Sequence, residues 1–258
     1  MATADIDYST ISGNSATAGD GGGIFADAGA PTDELRLFNS TMSGNTATTR
    51  GGGARVAGPD LVVDNSTVVG NHADVAGGGI FQTGVGAETT VDHSILTNNS
   101  APVAANLNGP VAVEWSLVGD TTGVPFISVS NNLPYSDPLL GPLQDNGGPT
   151  ATHLPAASSV VVDAGNPALV LVGDPRDQRG VFRFSGSARD VGAVERASDD
   201  GSIWTPVEPA RIVDTRDDRS TVDGLDLGGG PLPADSQRVI DVAGRAGVPD
   251  DAVGVVAN

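Results

Sequence analysis

The phrase STISGNSATAGDGGGIF, from Ser9 to Phe25, returns as STMSGNTATTRGGGARV from Ser40 and as STVVGNHADVAGGGIFQ from Ser66, and SILTNNSAPVAANL follows from Ser94. A flexible linker would not keep register, and this stretch does. Asn14, Asn45, Asn71 and Asn99 fall at successive separations of 31, 26 and 28 residues, and triple glycines at 21–23, 51–53 and 77–79 follow the first three of them. Periods of about 20–50 residues belong to solenoids, propellers or arrays.

Aligning the units on their serines exposes vertical columns. Three positions earlier stand Ile6, Leu37, Val63, Val91 and Val113, five positions earlier Ala4, Leu35, Leu61, Thr89 and Val111, and two positions later Ile11, Met42, Val68, Leu96 and Val118. A spacing of two with β-branched residues in several columns is strand alternation. Helix is excluded by the same β-branching, by glycine density and by the lack of a 3.6-residue apolar stripe. A propeller blade needs about 40–45 residues, more than these units contain. The expected fold is therefore all-β, a parallel β-helix in which equivalent residues of successive coils lie about 4.7–4.9 Å apart. Only 4% of residues are aromatic, so the core must be filled by Val, Ile, Leu and Ala in thin layers, which suits stacked coils. Asn14, Asn45, Asn71 and Asn99 are expected to form a structural ladder, each amide bonding its own corner and the amides above and below.

The segment DPLLGPLQDNGGPTATH from Asp137, followed by VVVDAG, DQRG and DVGAVE, breaks the repeat. Asp145, Asn146, Gly147 and Gly148 make a dense structural turn there. Asp177, Arg179, Asp190 and Glu195 read as structural ion pairs of this region. The chain divides on this reading into a β-helix over 1–197, with regular rungs at 4–120 and irregular closing coils at 121–195, a polar linker at 198–202, and an incomplete β-rich module at 203–258. It opens inside a repeat and stops on AVGVVAN, as an excised piece of a longer protein would.

STISGN with the following GGGIF resembles the repeat of polymorphic outer membrane proteins and related bacterial right-handed parallel β-helices. The phrases from Asp137 to Glu195 resemble the terminal segment of the choice-of-anchor β-helix proteins of bacterial surfaces. WTPVEPARIVDTR, from Trp204, resembles the start of a β-rich module repeated in secreted actinobacterial-type proteins, with Val213 where that phrase has Leu. These resemblances imply right-handed coils and a secreted or cell-surface location, with the signal peptide and anchor outside this segment.

Thirteen Arg and no Lys against 32 Asp and Glu leave a net charge of −19, which repels nucleic acid and anionic membranes. No apolar run approaches the about 18 residues of a membrane span, so no insertion is expected from this segment. The absence of Cys excludes disulfides, thiolate metal sites and a cysteine nucleophile. Glycoside hydrolysis normally needs two carboxylates across a cleft. Adjacent aspartates occur at Asp199 and Asp200, Asp217 and Asp218, and Asp250 and Asp251, all outside the coils. His72, His93 and His153 are solitary in sequence, without zinc spacing. The loops GDGGG and SDP offer oxygen ligands for a structural calcium ion, the one cofactor worth considering; no other is expected. Thr10, Thr41 and Thr67 form a short threonine column, which gives way to Ile95 and Leu117. The expected function is a non-catalytic, adhesin-like display scaffold or stalk, monomeric, with glycans or surface proteins as partners. A carbohydrate-active β-helix, as polysaccharide lyase, hydrolase or glycan-binding module, is the alternative.

Overall fold

The structure is a computed structural model that describes residues 2–27, 33–167, 175–183 and 185–197, together with ten positions between 211 and 248. The chain forms two compact units, Met1–Ile203 and Trp204–Asn258. The linker at 198–202, most of the 203–258 module, and Asp214 to Arg216 lie outside the described residues. Within the second unit Arg245 Nη2 donates to Ile212 O at 2.7 Å and to Asp223 Oδ1 at 2.9 Å.

The first unit is an all-β parallel β-helix. Its first sheet has six parallel strands, Thr3–Asp7, Glu34–Phe38, Asp60–Asp64, Thr89–Asp92, Val111–Glu114 and Phe126–Ser130. A second sheet stacks Thr10–Ser12, Thr41–Ser43, Thr67–Val69, Ile95–Thr97 and Leu117–Val118. The third stacks Ser15–Ala16, Thr46–Ala47 and His72–Ala73, and the fourth Ile24–Asp27, Ala54–Ala57, Ile80–Thr83 and Leu107–Asn108. Like pairs with like: Leu35 faces Leu61, which faces Thr89, and Leu37 faces Val63, which faces Val91. Every second residue of these strands points inward, so Leu37, Met42, Val56, Val63, Ile80 and Leu96 build one continuous core. Among the described residues no helix is long and apolar enough to cross a membrane.

Two kinds of corner make the coil close. The residue before each column serine, Tyr8, Asn39, Asn65, His93 or Trp115, has a φ between 43° and 48°. Asn and His are among the non-glycine residues that tolerate that left-handed conformation, and the bulkier Tyr and Trp are strained in it. Gly13, Gly44 and Gly70 take the next left-handed corner, and Asn98 replaces glycine there in the fourth unit. The triple glycines answer a different need, close approach. A Cβ on Gly52 would lie 2.2 Å from His72 O and 2.4 Å from Gly78 O, and one on Gly78 would lie 2.3 Å from Ser100 O. Only glycine lets successive coils stack at this edge.

Past Ser130 the chain departs from the expected further coils. Leu140–Gln144 and Thr152–Pro155 pair antiparallel. The reversal runs through Gly147 and Gly148, with φ of 87° and 105°. The following segment then lies back along the flank of the second sheet, over the threonine column. Gln178 Nε2 donates to Thr10 Oγ1 at 2.8 Å, Thr41 Oγ1 donates to Gln178 Oε1 at 2.6 Å, and the Ala193 N–H donates to Thr67 Oγ1 at 3.1 Å. Hydroxyls in a buried column need partners, and a strap carrying complementary polar groups supplies them. The column is thus an internal seam and not an exposed array.

Candidate functional site

The ladder residues occupy one corner of the coil, with Asn45, Asn71 and Asn99 buried and Asn14 at the exposed end. Asn14 Nδ2 donates to Asn45 Oδ1, Asn45 Nδ2 to Asn71 Oδ1, and Asn71 Nδ2 to Asn99 Oδ1, each at 2.9 Å. The backbone N–H of Asn14, Asn45 and Asn71 reaches the same acceptors at 3.0 Å. The chain of amides continues to Asn106, whose Oδ1 accepts from Asn99 Nδ2 at 3.1 Å.

A second ladder runs through the serines on which the repeats align. The N–H of Ser9 donates to Ser40 Oγ, Ser40 to Ser66, Ser66 to Ser94 and Ser94 to Ser116, at 3.0–3.1 Å. Ser116 passes the pattern to Asn132 Oδ1 at 2.9 Å. Each hydroxyl from Ser40 to Ser116 also donates to the carbonyl two residues before it, at 2.7–2.8 Å. This pins the left-handed residue that lies between.

The turn of Asp145, Asn146, Gly147 and Gly148 is tied on three sides. Asp145 Oδ1 accepts the Gly147 N–H at 2.9 Å, Asn146 Nδ2 donates to Thr152 O at 2.8 Å, and Arg179 Nη1 donates to Asn146 O at 3.2 Å. A Cβ on Gly148 would lie 2.6 Å from Arg179 Cα, so the turn is seated on the strap.

Between the strap and the first corner lies a buried charged cluster. Arg183 is fully buried and donates to Asn39 Oδ1 from Nε and Nη2 at 3.1 and 2.6 Å, and from Nη2 to Asn65 O and Gly192 O at 3.3 and 3.0 Å. Arg189 Nη1 donates to Asn65 Oδ1 at 3.1 Å. Asp177 Oδ2 accepts from Arg179 Nε and from the Glu195 N–H, both at 2.9 Å. Asp190 Oδ1 and Oδ2 accept the N–H groups of Asp163 and Arg196 at 2.8 and 2.6 Å. Glu195 Oε1 and Oε2 accept those of Ser185 and Asp190 at 3.1 and 2.8 Å.

Burial pushes the Glu195 carboxyl up to about 8, with the Asp190 charge adding to it, and pushes Asp190 up to about 6. Both therefore hold protons in the folded state that the unfolded chain releases near their ordinary values of 4.5 and 3.8. The folded state binds more protons in that window, so its stability falls as pH rises, and the loss is complete near pH 8. His153, whose pKa burial lowers from 6.5, acts with the opposite sign below that value. Between about pH 7 and 8 the Glu195 contribution stands clear of Asp190 and His153. Denaturation midpoints are expected to decline across that window, and the decline should flatten in Glu195→Gln, which mimics the protonated acid.

Asp64, Asp92 and His93 bring ligand-type atoms within 4.8 Å of one another, the geometry of a small metal site. The hydrogen bonding argues for a proton there instead. His93 Nε2 accepts the Asn166 N–H at 3.1 Å, which places the proton of a neutral ring on Nδ1, 2.8 Å from Asp92 Oδ1 without forming a hydrogen bond to it. A protonated Nδ1 offers no lone pair to a cation. Arg183 and Arg189 already supply positive charge to Asp64, whose carboxyl burial pushes up. In the GDGGG loop the Asp20 carboxylate accepts from the Thr49 hydroxyl and the Arg50 N–H and pairs with Arg55 Nε at 3.4 Å, so a cation already stands beside this oxygen-rich loop. In the SDP loop Asp137 Oδ1 accepts the Leu139 N–H at 2.9 Å.

The histidines, solitary in sequence, all have polar neighbours in space. His153 Nδ1 donates to Gly141 O at 2.7 Å and Nε2 accepts from Ser43 Oγ at 2.8 Å. His72 contacts Ser100 Oγ through Nδ1 at 2.8 Å and Asp74 Oδ1 through Nε2 at 3.0 Å. At the last regular coil a cavity of about 270 Å³ is lined by Val113, Val118, Phe126, Val129 and Tyr135, among others.

Compared with protein-family models, curated proteins and solved structures, the chain has no match in any of the three. What the site can do chemically has to come from the residues themselves. Most of the buried polar groups bond the coil to itself or to its strap.

Proposed function

We propose that this chain is a secreted or cell-surface β-helix acting as an adhesin-like display scaffold or stalk. The observation that carries the reading is how the surface loops are held. Gln82 to Glu88 spans the turn between Ile80–Thr83 and Thr89–Asp92, and both of these strands are locked in parallel sheets. Val85 stands at its tip, 96% exposed. A rigid coil with an apolar residue presented on a short loop suits recognition by a surface. The other expected recognition loop, Ala26 to Glu34, lies largely outside the described residues. The finer assignment, to choice-of-anchor β-helices with the polymorphic outer membrane protein repeat and a following actinobacterial-type module, rests on the sequence phrases. So do the expected partners, glycans or surface proteins, and the monomeric state. The net charge of −19 argues against nucleic acid.

One feature favours a glycan-binding reading as well. Tyr135, 62% exposed, and Phe126 border the coil-end cavity, and aromatic faces are common sugar platforms. Co-sedimentation of the chain with acidic and neutral polysaccharides, with and without calcium, separates the two. Binding lost in Val85→Ser at the exposed tip assigns recognition to the loop, and binding lost in Tyr135→Ala assigns it to the cavity. No binding to any polysaccharide would leave surface proteins as the partners.

A further inference from the structure

We infer that Ser100, His72 and Asp74 form an acyl-accepting triad on the outer surface of the coil, a site that goes beyond the scaffold reading. The three residues come from two successive coils. His72 and Asp74 lie on and just after His72–Ala73, and Ser100 bridges His72 from the coil above. Their backbone is fixed. The Ser100 N–H donates to Asn71 O at 2.9 Å, and the Ala73 N–H donates to Ser100 O at 3.0 Å. Asn71 and Asn99, the ladder residues beside His72 and Ser100, are buried.

The hydrogen bonds assign the protons. Asp74 Oδ1, 3.0 Å from His72 Nε2, accepts only, so Nε2 carries the ring proton. Nδ1 of the neutral ring is then an acceptor, and Ser100 Oγ, 2.8 Å away, donates to it. Nucleophile, base and orienting carboxylate stand in the order that activates a hydroxyl, with the two ring nitrogens exchanged relative to the usual serine triad. The Ala101 N–H, next in the chain after Ser100, makes no hydrogen bond among the described residues and is the nearest backbone donor for a developing oxyanion. The side chains of His72 and Asp74 are 48% and 58% exposed, and Ser100 is exposed, so an ester can reach them from solvent. Among the described residues the other Ser–His contact, Ser43 with His153, joins a buried serine to a half-buried ring on the strand Thr152–Pro155.

The chemical class is an activated carboxylic ester. Ser100 Oγ bonds to the acyl carbon as its proton passes to His72 Nδ1, the bond from the acyl carbon to the leaving oxygen breaks, and His72 returns the proton to that oxygen. The products are acyl-Ser100 and an alcohol.

The test treats the whole chain with p-nitrophenyl acetate and, separately, with a fluorophosphonate, followed by intact mass and peptide mapping. A single adduct on Ser100 is expected, absent in Ser100→Ala, at least about 100-fold slower in His72→Gln, and slower in Asp74→Asn. All three positions are exposed, so the variants should melt as the parent does. No adduct on the folded parent, an adduct elsewhere, or an unchanged rate in His72→Gln would overturn the assignment.

Discussion

Replacing Arg183 with alanine is expected to destabilise the β-helix by about 3–5 kcal/mol, the cost of removing one member of a buried, hydrogen-bonded ionic cluster. The substitution leaves Asn39 Oδ1, Asn65 O and Gly192 O without their donors. It also withdraws positive charge from beside Glu195, Asp177, Asp64 and Asp190. Arg183→Lys should recover only part of the loss, because a single ammonium cannot reproduce a planar fork that spans the strap and two coils. Denaturant titration gives the value directly. A change below about 1 kcal/mol would mean that the strap is not seated on the flank.

Asn71→Ala is expected to cost about 3 kcal/mol, the upper end for stranding buried polar groups. The amide removed accepts from Asn45 twice and donates to Met42 O, Val69 O and Asn99 Oδ1. No water-exposed route replaces these bonds, since Asn45 and Asn71 are fully buried. Asn14→Ala is the control: it removes a single side-chain bond at the exposed end and should cost below about 1 kcal/mol. Thermal melts that rank the two variants equally would show that the ladder does not share its load between coils.

The coils were legible because their chemistry repeats. When successive units stack in register, alignment of the sequence is alignment in space, and the inner columns follow from strand periodicity alone. The same alignment held information that was left unread. Ser100 follows Asn99 as His72 follows Asn71, so their contact was already written in the column of Ser15, Thr46, His72 and Ser100. The serine ladder was the anchor of the alignment and yet had no role assigned, since a serine column reads as a turn residue until its N–H groups need acceptors. Asn106 was hidden because the coil shortens: it follows Asn99 by 7 residues, where the earlier steps are 26–31. The strap was illegible for a different reason. Gln178 meets Thr10 across 168 residues and Arg183 meets Asn39 across 144, with no repetition to announce either contact.

The pH behaviour follows from the same placement. Asp190 and Glu195 were read as partners in ion pairs, and the structure surrounds both mainly with backbone N–H groups in a buried seam. Burial, more than any single cation, sets their protonation.

The central claim, that the coils display a surface and do not cut a polymer, is tested most directly by following new sugar ends during incubation of the whole chain with the polysaccharide panel, with and without calcium. The account predicts none above the buffer control, even where the polymer co-sediments. Release of oligosaccharides would contradict it and turn attention to the acids borne on the coils.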